Sequence, residues 1–252
     1  MTSARVGLQL YTLRGDCARD LEGVLRAVGK LGYEGVELFD LHGHAPEQVR
    51  SWLDEAGLAV AGRHAGIELL ESDLPGLAAE LRTLGTDRVA LSWIDAPVTV
   101  AAARKWVERI ATVGTRAGEL GLRFGFHNHA GELRPLEGGA TLLDLLAGLP
   151  DDLLWLELDL GWAWEAGVDP VELLQRMRGR SPLVHVKDFR EHGGAAFCPV
   201  GDGAVGYPRI VSAADAAGVE WLLVEQDEVD GPPLDAVERS IRAVRTMLAE
   251  AA

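Results

Sequence analysis

No stretch of this 252-residue chain is long and apolar enough to span a bilayer, because charged residues interrupt every hydrophobic run. The N-terminal MTSARVGLQLYTLR also lacks an apolar signal segment and a small-residue cleavage site. Cytoplasmic residence, with no membrane partner, is therefore the expectation. Cysteine is nearly missing. Cys17 and Cys198 are far apart, match no metal-ligand spacing and read as unpaired thiols in a reducing compartment. Positive charge is scarce, with 24 Lys and Arg against 39 Asp and Glu and a formal net charge of −15. No nucleic-acid partner is expected, since affinity for a phosphate backbone rests on Lys and Arg. Overall acidity still leaves room for a local cationic pocket that takes a small anion. No linker, low-complexity tract or shift in composition divides the chain, so 1–252 reads as a single domain. The glycine-rich phosphate turn of dinucleotide-binding sheets is absent too, because the first strand runs into Gln-Leu-Tyr-Thr.

What is present is a regular alternation of strand-like and helix-like segments. Strands are expected at 5–11, 35–39, 58–64, 88–93, 123–129, 153–160, 183–188 and 221–227. Helical patterns lie between them at 20–32, 45–57, 74–85, 98–121, 139–149, 169–180 and 207–218, with a last one at 233–250. Asp20 precedes the first helix, Gly32 and Gly57 follow the first two, and Asp169-Pro170 opens the sixth. Eight strand–helix units in about 250 residues have the size and count of a single (β/α)8 TIM barrel, an α/β fold.

The strand ends carry the chemistry. Residues two apart share a face, so in 153–160 the leucines at 154, 156, 158 and 160 face one way and Trp155, Glu157 and Asp159 the other. The leucine face suits the helix layer, which directs Glu157 and Asp159 into the barrel. The same parity pairs Gln9 with Tyr11, His127 with His129, His185 with Lys187 and Glu225 with Asp227, and Glu37 ends the second strand. Unpaired buried charge is costly. Its recurrence at the C-terminal rim, where barrel active sites form, points to a metal or polar substrate that offsets the cost. Asp159, His185 and Glu225 come from neighbouring strands and are oxygen and nitrogen ligands suited to one Mn²⁺, Co²⁺, Mg²⁺ or Zn²⁺ ion. A fourth ligand is expected from strand five or the loop after it, where His127, His129 and Glu132 stand.

These residues resemble the xylose-isomerase-like sugar-phosphate isomerases and epimerases. The resemblance is carried by GLQLYTLR (7–14), GYEGVELF (32–39), FHNHAGEL (126–133), LDLGWAWEAGVDPVEL (158–173), VHVKDF (184–189), PVGDGAVGYPRI (199–210) and VEQDE (224–228). It implies one divalent cation held by Glu, Asp, His and Glu from strands five to eight. Asp159, His185 and Glu225 match the last three. Strand five departs from the pattern: His127-Asn128-His129 stands at its tip and the nearest acid is Glu132, the preferred fourth ligand. Many such epimerases have a histidine three residues after the strand-six Asp, where this chain has Trp162.

A cation chelated by a substrate carbonyl and its neighbouring hydroxyl would stabilise an enediolate, and a carboxylate would move the proton. Glu225 and Glu132 are the candidates for proton transfer, and Lys187 a third catalytic candidate that holds a carboxylate, phosphate or developing oxyanion. Glu37, His127, His129, Trp162 and Arg190 are candidates for contact with a small polyhydroxylated substrate. The expected activity is metal-dependent isomerisation or epimerisation of a small sugar, sugar phosphate, keto-inositol or related keto acid. A dehydratase or lyase with the same metal site is the alternative, and a non-catalytic sugar-binding protein a remoter one. Metal-dependent apurinic endonucleases share the resemblance, but the acidic composition opposes them. Homo-oligomerisation stays open.

Overall fold

A segment with one apolar and one polar face is stable only where each face meets a matching layer. The computed structural model, which describes residues 4–194 and 196–251, solves this eight times over. The strands are β1 (Arg5–Gln9), β2 (Gly35–Leu38), β3 (Ala59–Ala65), β4 (Arg88–Leu91), β5 (Arg123–His127), β6 (Trp155–Asp159), β7 (Leu183–Val186) and β8 (Trp221–Val224). They form a closed barrel in which β1 pairs in parallel with both β2 and β8. Leu156 and Leu158 of β6 join a continuous apolar layer with helix residues such as Leu173 and Leu174, whereas Trp155 belongs to a separate interior cluster. The expected single TIM barrel is the observed fold. No helix among the described residues is long and apolar enough to cross a membrane.

Boundaries shift where side chains compete for the backbone. The first strand stops at Gln9 because the Gln9 side chain accepts the Tyr11 N–H at 3.1 Å and Leu10–Leu13 coils into a 3₁₀ turn. Tyr11, expected to point inward beside Gln9, is instead 41% exposed. The first helix begins at Arg14 rather than after Asp20. Asp20 interrupts it with non-helical φ/ψ, and its carboxylate caps the Gly23 N–H at 2.9 Å, so the sequence signal marks an internal restart. The fifth helix is shorter than expected, Leu142–Ala147, fixed by a Thr141–Asp144 capping box. Two additional short helices, Ile67–Ser72 and Leu160–Glu165, follow β3 and β6.

The barrel interior has a floor. Ala61, Ala90, Trp155, Leu183, Trp221 and Leu223 form an apolar plug across it. A Cβ on Gly35 would lie 2.5 Å from Trp221, and one on Gly125 would lie 2.4 Å from Trp155, so only glycine admits these indoles. Above the plug the inward residues are acids and imidazoles. Below it they are arginines.

The glycine-rich segment after β7 is pinned rather than free. The buried Asp188 accepts the N–H groups of Phe189, Gly201, Gly203 and Val205 at 3.0, 2.9, 3.1 and 3.2 Å. The segment therefore packs as a fixed turn beside the small hairpin Asp188–Phe189/Phe197–Cys198. Asp188→Ala strands these donors, each worth about 1–3 kcal/mol when buried and unmade. The expected result is a loss of roughly 3 kcal/mol or more in a urea melt. An unchanged midpoint would show that water replaces the carboxylate.

Candidate active site

Parity brings an acid, amide or imidazole to the top of most strands. Gln9, Glu37, His127, Glu157, Asp159 and His185 are each 0–2% exposed, and Glu225 is 4% exposed. At the deepest level the Gln9 amide donates to Glu37 Oε2 at 2.7 Å, and His185 Nε2 lies 2.8 Å from the same oxygen. His64 Nε2 lies 2.6 Å from Glu157 Oε2. Burial, reinforced by the facing Glu157, pushes Glu37 up to about 7, and burial likewise pushes Glu157 up to about 7.

His185 is held from both sides, with Nδ1 2.7 Å from Glu225 Oε2 and Nε2 2.8 Å from Glu37 Oε2. Burial disfavours its charge, but Glu225 and Glu157 overcome this and hold the imidazole well above its ordinary value. Both ring nitrogens then act as donors. Lys187 continues the chain of charges. Its Nζ lies 3.1 Å from Asp159 Oδ2, 2.8 Å from Glu225 Oε2 and 2.8 Å from Asp227 Oδ1. Burial opposes its charge too, yet Asp159, Glu225 and Asp227 keep the ammonium well above its usual range. Burial alone would raise Glu225, but Lys187 and His185 hold it well below the carboxylate range. Asp159 is pushed up to about 6 by burial, against the pull of Lys187.

The imidazoles nearest the opening are neutral. Burial drives His64 down to about 4 and His129 down to about 3, and lowers His127 further than an ordinary histidine. His64, His127, His129, Glu225 and Asp227 line a cavity of about 590 Å³ whose mouth carries Tyr11, Phe39 and Trp93.

The expected site residues do not all meet there. Asp159, His185, Glu225 and His127 each bring a ligand atom within 4.8 Å of the others. Glu132 lies in the turn after β5, where its buried carboxylate accepts the His129 N–H at 2.8 Å. It is absent from both metal-competent clusters of the described residues. Trp162 packs behind the cavity, with its ring centroid 5.4 Å from Phe189, 5.6 Å from Phe197 and 6.0 Å from His129. Arg190 belongs to the hairpin, with its exposed guanidinium 4.0 Å from Asp230. Glu37 sits beneath the cavity wall, bound to Gln9 and His185. Two further site residues are His64, which sequence reading passed over, and Glu157, which it placed inside the barrel without a role. His64 had a signal: it lies next to last in β3, as His127 and His185 lie near the ends of their strands.

The cluster suits a divalent cation. Asp159 Oδ2 is faced by the Lys187 ammonium at 3.1 Å but accepts no well-directed hydrogen bond, and His127 Nδ1 is buried without a hydrogen-bond partner, which leaves both ligand residues under-satisfied. Two carboxylates and two imidazoles form a donor set that matches Zn²⁺, Co²⁺ or Mn²⁺. Asp159 is oriented at its other oxygen, which accepts the Trp162 N–H at 2.8 Å and caps the helix Leu160–Glu165. Its own N–H donates to the Asn128 side chain at 3.2 Å, which ties strand six to the loop after strand five. A second set, His64, His127, Glu157 and His185, shares two imidazoles with the first.

Comparison with known proteins agrees with the barrel fold. The chain is 28% identical over 194 residues to an inosose dehydratase of Geobacillus kaustophilus, spanning 66% of this chain and 61% of that protein. An inosose dehydratase of Lacticaseibacillus casei is 26% identical over 142 residues, 48% of this chain and 47% of its own length. The chain thus matches only about half to three-fifths of the length of these relatives. Among solved structures, a sugar phosphate isomerase/epimerase from Parabacteroides distasonis superposes with a TM-score of 0.79 at 23% identity, covering 100% of this chain and 96% of that one. The IOLI protein with a bound zinc atom superposes with a TM-score of 0.78 at 14% identity, covering 98% and 99%. Residues 25–247 match the sequence pattern of one family, and the chain belongs to it: the xylose isomerase-like TIM barrels.

Proposed function

We propose that the protein is a metal-dependent enzyme that removes the proton beside the carbonyl of an uncharged cyclic polyhydroxy ketone and then expels water. A keto-inositol is the model substrate. The observation that carries this reading is the convergence of His127, Asp159, His185 and Glu225 beside a cavity whose cations are already engaged. Arg63 donates to Glu80, to the Phe39 carbonyl and to the His64 carbonyl. Arg14 donates to the Tyr11 and Asp227 carbonyls and to Glu228, and Lys187 is shared by three carboxylates. Asp40, Glu225, Asp227 and Glu228 line the same cavity. A phosphate or carboxylate on the substrate would face this acidic wall with no free partner, and like-charge juxtaposition costs several kcal/mol.

Asp159, His185, Glu225 and His127 are the proposed ligands. A divalent cation held there would supply Lewis acidity towards a substrate carbonyl. His64 is the proposed proton acceptor: it is neutral, lines the cavity and is oriented by Glu157 at 2.6 Å. Lys187 positions Asp159 and Glu225 by cancelling their mutual repulsion. Glu132 fixes the loop that presents His127 and His129. The names of the inosose dehydratase relatives favour elimination as the outcome. Isomerisation or epimerisation shares the proton loss and differs in returning the proton to carbon.

The test is turnover in D₂O of the Mn²⁺-, Co²⁺- or Zn²⁺-loaded protein with inososes, ketoses and their phosphates, followed by mass spectrometry. Elimination yields a product lighter by one water, and epimerisation yields deuterated material of otherwise unchanged composition. Phosphorylated substrates are expected to be turned over about 100-fold less efficiently than their neutral parents. Binding without exchange or product across the whole panel would leave a sugar-binding protein and overturn the enzymatic reading.

A further inference from the structure

The closed end of the barrel has a chemistry opposite to that of the rim. β1, β4 and β5 each begin with an arginine, Arg5, Arg88 and Arg123, on the same strand parity as the inward-facing Gln9, Ala90 and His127. Together with Arg82, from the last turn of the helix Leu74–Leu84, they line a pocket of about 440 Å³ below the tryptophan floor. Four guanidinium groups in one pocket is an unexpected concentration for a chain of net charge −15.

Local acids do not use up this charge. Asp87 pairs with Arg123, and Glu220 pairs with Arg88. Arg5 and Arg82 have no carboxylate partner among the described residues. The Arg5 guanidinium instead lies over the Trp221 ring, 3.8 Å from its centroid. Two buried donors in the pocket wall also lack acceptors. Arg88 is 6% exposed and its Nε has no hydrogen-bond partner, and Trp221 is 1% exposed and its Nε1 has none. A buried N–H without an acceptor costs free energy that a bound oxygen restores. Planar, fixed guanidinium forks match the oxygen spacing of a tetrahedral oxyanion.

We propose that this basal pocket is a binding site for a phosphate-type oxyanion, either free inorganic phosphate or the phosphate group of a small ester. Arg5 and Arg82 supply the uncompensated charge. Arg88 Nε and Trp221 Nε1 are the donors it satisfies, and Arg123, already paired with Asp87, closes one side. The tryptophan plug and the barrel interior separate it from the carboxylate-rich rim, so one protein presents an acidic mouth and a basic base.

Isothermal titration of the metal-loaded protein with inorganic phosphate and, separately, glycerol 3-phosphate tests the site. The expected result is saturable binding of one anion per chain that weakens as salt rises. Arg5→Gln combined with Arg82→Gln should weaken it about tenfold or more, since each charge-assisted hydrogen bond contributes more than a neutral one. Both side chains are exposed, so the double variant should keep its fold. His185→Ala, which no longer holds the rim cation, is titrated beside metal-free parent protein, and the two should bind the anion equally. In ¹⁵N spectra the Arg88 Nε–H resonance should move with the same binding curve. Tighter binding of the ester identifies an organic phosphate as the ligand, and equal binding identifies the free oxyanion. No saturable binding, equal affinity in the double variant, or weaker binding by His185→Ala than by the metal-free parent would each overturn the proposal.

Discussion

His185→Ala is expected to abolish tight divalent-cation binding and to lower turnover on the order of 10³-fold or more, the scale seen when a principal electrostatic group is removed. Asp159→Ala should do the same. Both residues combine full burial with a place in the four-ligand cluster. Elemental analysis should fall from about one cation per chain to none, since three remaining donors leave the shell incomplete. Circular dichroism must accompany the measurement, because His185 also separates Glu37 from Glu225. Affinity in the parent protein should rise with pH. Before a cation enters, His185 carries a proton on each nitrogen, held there by flanking carboxylates despite its burial. Binding requires the neutral imidazole, so protons compete at low pH and the competition fades as pH rises. Full turnover by rigorously metal-free protein would remove the cation from the reaction.

Much of this site can be read from period-two alternation. Trp155, Glu157 and Asp159 share a face that has no place in an apolar helix layer, and the structure puts them inside the barrel. The barrel itself follows from eight alternations without a dividing linker. Alternation fails where the backbone departs from it. Between β2 and β3 the register slips at Val36/Glu37, so Glu37 pairs with Gly62 rather than Ala61. Counting along AVAGRHA alone therefore cannot tell whether Arg63 or His64 faces the site, and only the pairing decides it. Trp162 and Arg190 stand outside this alternation. Each lies just past a strand end, where a helix or hairpin takes over and strand parity no longer applies. The basal arginines are masked in the sequence by its overall acidity. They converge only once β1, β4 and β5 are drawn into one ring.

The loop after β5 separates two ligand sets, and a pair of variants distinguishes them. A third carboxylate would suit a hard cation, which makes Glu132 attractive on charge grounds alone. Its position argues otherwise. Its carboxylate accepts the His129 N–H at 2.8 Å, while His127 lies with Asp159, His185 and Glu225 in one cluster. His127 Nε2 is 3.9 Å from Asp159 Oδ2, and its Nδ1 is buried without a partner. A cation between the His127 imidazole and Asp159 would add a partner to a carboxylate oxygen that accepts no well-directed hydrogen bond. Titration with Mn²⁺ and Zn²⁺ should therefore show His127→Ala weakening binding by roughly 100-fold or more, with Zn²⁺ suffering most because an imidazole is lost. Glu132→Gln keeps an oxygen that can still accept the His129 N–H, so its affinity should stay within about threefold of the parent. The opposite pattern, with Glu132→Gln losing the cation and His127→Ala keeping it, would require the 128–133 turn to unwind on binding. It would then make Glu132 a ligand and leave His127 to the substrate.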